Sequence, residues 1–213
     1  MRIDVVVARY REDISWLTDP VFKSCNVLVY NKYEQSGLVL PNVGRESHTY
    51  VHHIVQNFDN LADVTAFVQG DPFDHCPAFM KDMHDLPFVK KFEPLSRHRP
   101  DGFVCDLAGL PHHFGGLPVM SDYQFLFQKP PVSFCIRFFP GAMFAVPKEL
   151  IRAQGLGFYK RLLARLCDPS EILLGFTMER LWPLILGEPE FAPLGVRFPK
   201  RDWLTYLFSG TSK

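Results

Sequence analysis

Several absences bound this chain of 213 residues before anything present in it is weighed. There is no excess charge of either sign: 23 Lys plus Arg stand against 23 Asp plus Glu, so no bulk field draws the protein to nucleic acid or to an anionic membrane surface. No apolar run approaches the roughly 20 residues that span a bilayer. The N-terminus passes straight into a strand pattern without a basic segment and apolar leader. A soluble, cytoplasmic protein with no membrane span and no nucleic-acid partner is the expectation. Cysteine is sparse and scattered: of Cys25, Cys76, Cys105, Cys135 and Cys167, the closest two are 29 positions apart. That pattern writes neither a disulfide framework nor a zinc knuckle, and the five are read as reduced thiols. Also missing are a G-x-S-x-G elbow, a P-loop, a dinucleotide G-x-G-x-x-G and an H-E-x-x-H pair, and no cysteine sits in an activating sequence.

What is present is a globule. A composition 47% hydrophobic with 20 Phe supports a substantial core, and the length suits one domain over residues 1–213. The 18 Pro and 14 Gly gather after position 70 and predict long shaped loops there.

Residues 3–8 (IDVVVA) form a β-branched run that suits a strand buried on both faces, and Asp13 stands as an N-cap for a helix through Ile14, Trp16 and Leu17. Val27 to Tyr30 give a second strand ending at Asn31-Lys32. In residues 45–58 the apolar positions Tyr50, Val51, Ile54, Val55 and Phe58 share one helical face, which predicts those five against a sheet and Thr49, His53 and Gln56 outward. Residues 63–68 make a third strand, stopped by Gln69-Gly70-Asp71-Pro72. Residues 76–130 show little periodicity and read as loops and short elements. A strand follows near SFCIRFF, then an extended stretch at 142–146, a helix opened by Pro147, and helices near 158–166 and 176–186. Strands alternating with helices predict an α/β fold with a central, mostly parallel mixed sheet flanked by helices.

Ligands in such sheets collect beyond the strand carboxyl ends. Arg9-Tyr10, Asn31-Lys32 and the segment from Asp71 to His75 occupy those ends, and Arg9, Asn31 and Asp71 are expected on one rim. Asp71, Asp74 and His75 form an oxygen-rich set that suits Mg2+ or Mn2+ on a diphosphate; the other reading is that the two Asp cap turns around Pro72. Arg45 and Glu46 open the 45–58 helix beside Gly44, where free amides receive an anion, and Arg45 is a candidate diphosphate clamp. His48 and His52, four apart, either pinch a metal or pack in the core. His112-His113 before Phe114-Gly115-Gly116 is a candidate acceptor-side lid. Asp101, Gly102 and Asp106 read first as turn chemistry. Glu179-Arg180 interrupts an apolar turn just before Pro183, so Glu179 is either one half of a structural ion pair or a carboxylate that acts as a base or binds an acceptor. Trp182 and Phe144 are core residues or a sugar platform.

The segments VVARYREDISWL (6–17), VYNK (29–32), LPNVGRESHTYVHHIVQNFDNLADVTAFVQGDP (40–72), FPGAMFAVPKELI (139–151), FYKRLL (158–163) and MERLWPLILG (178–187) resemble a family of bacterial and fungal proteins catalogued as a domain of unknown function. A second resemblance is to glycosyltransferases of the type A fold. Those enzymes end a buried strand with acidic metal ligands, then present an extended apolar segment, a helix, and a helix with an acid-Arg pair. That resemblance implies a nucleotide-diphospho-sugar transferase-like fold in which Ala8, Arg9 and Tyr10 line a nucleotide pocket. Asp71 and Asp74 would stand for the metal motif, though two residues separate them where that motif has one, and Glu179 would face the acceptor. The expected function is a nucleotide-sugar-dependent glycosyltransferase assisted by Mn2+ or Mg2+, with a nucleotide-sugar donor and an unknown acceptor as partners. The alternatives are a noncatalytic ligand-binding module of the same fold, or a transferase using a nucleotidyl or aminoacyl donor.

Overall fold

The computed structural model describes residues 1–97, 102–106, 116–130 and 135–188. In chain order its elements are β1 (Ile3–Arg9), β2 (Asn26–Asn31), β3 (Leu38–Val39), α1 (Arg45–Asn57), β4 (Val64–Gln69), α2 (Phe79–His84), β5 (Glu93–Pro94) and β6 (Phe103–Asp106), followed by α3 (Val119–Phe127), β7 (Cys135–Phe138), β8 (Phe144–Pro147), α4 (Lys148–Ala153), α5 (Leu156–Leu166) and α6 (Leu174–Ile185). Six strands form one mixed sheet in the order β3-β2-β1-β4-β8-β5, and β6 pairs with β7 in a separate ribbon. β1 lies parallel to β2 and to β4, whereas β8 runs antiparallel to β4 and to β5.

The aliphatic run of β1 is explained by its place at the centre. Val6 faces a layer with Tyr50, Ile54, Phe67, Phe144, Tyr159 and Trp182. Val5 and Val7 face the opposite layer with Phe22, Ala66, Val68, Phe79 and Ala145. Alternate residues of a strand point to opposite faces, so a strand with two covered faces has no polar side. Each fully buried Val, Ile, Leu or Phe contributes roughly 1.5–3 kcal/mol, which makes β1, β4 and β8 the part of the sheet most resistant to opening.

Two expectations are corrected. The helix expected after Asp13 is instead two short 3-10 turns, Ser15–Thr18 and Pro20–Ser24. Asp13 accepts from the Ser15 amide at 2.9 Å but is not the N-cap, a position taken by Ile14 without a side-chain capping bond, and Pro20 forces Asp19 into an extended conformation (φ −60°, ψ 138°) after one turn. Thr49 and His53 are fully buried, not outward. The β1 strand carries one carboxylate, Asp4, facing α1, and His53 lies 3.8 Å from it while its Nδ1 sits 3.1 Å from the Tyr30 hydroxyl. Tyr50, Val51 and Ile54 are buried as expected, with Val55 and Phe58 half-buried. Segment 76–130 holds more order than its sequence suggests, including α2 and α3.

Candidate functional site

The carboxyl ends of β1, β2 and β4 open on one edge of the sheet, because the three strands are parallel and in register: Arg9 pairs with Asn31, and Ala8 with Gln69. Asp71, two residues past β4, lies at the same edge as Arg9 and Asn31. Arg9 is pinned there: Nε donates to the Glu12 carbonyl at 3.0 Å, and Nη1 to Asn31 Oδ1 at 3.1 Å and Glu34 Oε2 at 2.6 Å. Ala8, the preceding residue of β1, is half-buried. Tyr10, 37% exposed, meets Tyr33 edge to face at 5.4 Å, and the Arg11 guanidinium lies 3.9 Å from the Tyr33 ring centre.

The next part of the edge is the turn that opens α1. Lys32, 9% exposed, donates from Nζ to the Val43 carbonyl at 2.6 Å and to the Arg45 carbonyl. Burial lowers its pKa to about 8 against the opposing pull of Glu46. Gly44 and Arg45 both have left-handed backbones, φ 55° and 51°. A side chain at Gly44 would meet the Leu166 carbonyl at 2.8 Å, so only glycine fits, while Arg45 carries the strain that an L-residue has there. The Arg45 side chain runs past Gly175 of α6, where a Cβ would meet its Cγ and Cδ at 3.0 Å. Its guanidinium ends 4.3 Å over the Phe176 ring and 3.5 Å from Glu46, half-exposed. Burial pushes the Glu46 carboxyl up, with Glu179 adding to the effect and Arg45 and Lys32 opposing it.

α6 delivers Glu179 to this edge. Its Oε1 accepts from the Gly141 amide at 2.7 Å, and Arg180 pairs with Oε2. Gly141 is tied in turn to β4, since its carbonyl accepts from Gln69 Nε2 at 2.8 Å, and His75 packs where a Gly141 side chain would stand. Pro183 lies inside α6 without ending it. Trp182 and Phe144 are each 1% exposed. They pack 5.2 Å apart as core, with Trp182 donating to Ser47 Oγ at 3.2 Å.

The acidic segment after β4 is less converged than its residue types suggest. Asp71 Oδ1 accepts from the Phe73 amide at 3.2 Å, the turn-capping arrangement. The Asp74 side chain is 81% exposed and lies 3.9 Å from His75 Nε2. Among the described residues no group of three or more His, Cys, Asp or Glu is assembled to hold a metal ion. The bare face of Gly70 is also not a ligand approach: a Cβ there would meet Glu12 Oε2 at 2.6 Å, and that oxygen already accepts from the Tyr10 and Arg11 amides at 2.6 and 3.1 Å. His48 and His52 sit 6.1 Å apart, ring to ring, on α1, and His48 is inside the core. Asp101, His112, His113, Phe114 and Gly115 lie outside the described residues, as do the side-chain surroundings of Asp106.

Sequence reasoning placed Lys32 at this edge but not its partners, which lie 11 and 13 residues away on a turn, and it missed Glu12, Gly141 and Gly175. The two glycines act through backbone and empty space, and Glu12 binds neighbouring backbone amides, none of which leaves a motif. Residues 5–104 match the model of a family described as Protein of unknown function (DUF3431). No curated protein and no solved structure matches the chain. Among the described residues no helix is long and apolar enough to cross a membrane.

Proposed function

We propose that this edge binds a nucleotide-sugar and that the protein transfers its glycosyl group to an acceptor. The observation that carries the reading is a continuous chain of contacts along the edge: Lys32 to the turn before α1, Arg45 to Gly175 and Phe176, and Glu179 to Gly141 and Gln69. It joins a half-exposed guanidinium, a helix N-terminus and an oriented carboxylate beside the carboxyl ends of parallel strands, where α/β folds place ligands. The chain order also fits the type A resemblance: a buried strand with an acidic end, then β8, then helices, the last carrying Glu179-Arg180.

In this reading Arg45, held over the Phe176 ring, and the α1 amides offset the charge that grows on the departing diphosphate. Tyr10 and Asn31 line the nucleotide end. Glu179, fixed by the Gly141 amide, accepts the proton of the acceptor hydroxyl as the new glycosidic bond forms. Asp71 and Asp74 would hold a divalent ion whose coordination the diphosphate oxygens complete, since Mg2+ is bound by one or two carboxylates plus substrate phosphates in such sites. That ion would supply Lewis-acid assistance to the leaving group.

Calorimetric titration with a panel of nucleoside diphosphates, with and without Mn2+, tests the reading, together with transfer from the matching nucleotide-sugar. The expected result is metal-supported binding that Asp71→Asn reduces at least about ten-fold, since loss of one charged ligand costs more than about 1.4 kcal/mol, with little change in thermal stability. Equal affinity with and without metal, unchanged in the mutant, assigns Asp71 to its turn and rejects the metal-assisted transferase. Binding without any turnover assigns the noncatalytic module, in which the Glu179–Arg180 pair is structural.

A further inference from the structure

Cys167 and His48 form a pair that the edge described above does not use. α5 ends at Cys167, which is exposed, and its Sγ lies 3.4 Å from His48 Nε2. His48 is 2% exposed, and its other ring nitrogen, Nδ1, is buried with no hydrogen-bond partner. The hydrogen-bond pattern assigns the tautomer. A proton on Nδ1 would be a buried N–H without an acceptor, the rarer and costlier arrangement, so the proton sits on Nε2 and is donated to the sulfur. Burial, Lys32 and His52 keep the His48 pKa down at about 4, and the ring stays a neutral donor at physiological pH. The Lys32 ammonium is near enough to Cys167 to interact with it electrostatically.

The other cysteines with described side chains lack this combination. Cys25 is half-buried, its thiol pushed up by burial. Cys76 is buried, with Sγ donating to Asp82 at 3.2 Å. Exposure together with a buried N–H aimed at the sulfur is what a reactive thiol needs, because the donor stabilises the charged sulfur that does the attacking.

We propose that Cys167 is a thiol-modification site that exchanges with small disulfides, with His48 as its positioning residue. The Cys167 proton goes to solvent, and the sulfur attacks one sulfur of R–S–S–R. A Cys167–S–S–R bond forms as the original S–S bond breaks, and the electron pair leaves on R–S⁻, which takes up a proton from solvent. Cys167 is oxidised, the departing half of the disulfide is reduced, and the His48 Nε2 proton stays where it is. The adduct would sit next to Leu166, whose carbonyl lies against Gly44, beside the turn that carries Arg45. The proposal does not depend on the identity of any donor.

The test is reaction of the full chain with 5,5′-dithiobis(2-nitrobenzoate), followed by release of thionitrobenzoate and by peptide mass mapping of each modified cysteine. Cys167 is expected to react fastest, and Cys167→Ser to remove that phase. His48→Leu should slow it about five-fold, since a hydrogen bond to a charged group is lost while the sulfur itself remains. His48→Gln, whose amide can still donate, should stay within about two-fold of wild type. Oxidised glutathione should add its half-mass at Cys167 first. A fast phase mapped to another cysteine, or an unchanged rate in His48→Leu, overturns the proposal. Should His48→Leu fail to fold, the wild-type mapping still decides: Cys167 reacting no faster than Cys25 overturns it.

Discussion

At Asp4 a carboxylate 4% exposed interrupts an aliphatic strand, and three groups answer it. Asn26 Nδ2 donates to it at 3.1 Å, Arg2 lies 3.9 Å away, and His53 lies 3.8 Å away on α1. Burial, with His52 and Arg2 adding, nevertheless keeps His53 at about 4, so this imidazole is neutral in the folded protein near neutral pH. An unfolded histidine titrates near 6.5. Between those values the unfolded chain binds the extra proton, so stability is fully present above about 6.5 and is lost as the pH falls to about 4. The loss for His53 is roughly 3 kcal/mol. Urea midpoints measured from pH 7 to 4 should therefore fall steadily, and His53→Gln should flatten the slope. Asp63, held down to about 2 by Lys148, contributes its loss only at lower pH, whereas His48, also held at about 4 by burial, adds a loss of the same sign within this window, so the His53 share is the part of the slope that His53→Gln removes. A slope left unchanged by His53→Gln would mean that His53 is protonated and paired with Asp4.

Among elements, α1 shows both how far sequence reading reaches and where it stops. Its boundaries and the burial of Tyr50, Val51 and Ile54 follow from spacing alone, as do β1, β2 and β4 from β-branched runs, because those signals are local. His53 and Thr49 were misplaced because their burial is set by strands that pair elsewhere, and β5 and β8 are too short to announce their antiparallel pairing. At the edge, the types of Arg9, Asn31, Arg45, Asp71 and Glu179 were legible, whereas the notch at Gly175 is visible only in three dimensions. That notch yields a prediction. Gly175→Ala places a methyl against the Arg45 stem at 3.0 Å, and a flexible side chain can yield to it. Alanine is favoured over glycine in a helix by up to about 1 kcal/mol, so the melting temperature should hold or rise. Nucleoside diphosphate affinity should fall several-fold, because Arg45 loses its place on Phe176. A well-folded Gly175→Ala protein with wild-type affinity would remove Arg45 from the ligand site.

For the whole molecule, the strand order decides how much of the chain must be present for any of it to fold. The family match covers residues 5–104, a stretch that holds β1 to β5 with α1 and α2. Within it β5 has no paired neighbour, since it pairs with β8, and β8 also covers the outer edge of β4. The face of α1 turned from the sheet packs on α5 and α6, and Tyr50 touches Phe144 and Trp182 through ring contacts at 5.9 and 6.2 Å. Removing the second half would uncover the edge of β4 from Val64 to Phe67 and the apolar side of α1 together. Unpaired backbone groups and exposed aromatic surface both oppose the folded state. A fragment of residues 1–104 should accordingly show no cooperative thermal transition and should bind a hydrophobic dye, while the full chain melts in a cooperative step. Cooperative melting of the fragment, with protected amides in β4, would show that the first half carries its own core and that β8 only adds to it.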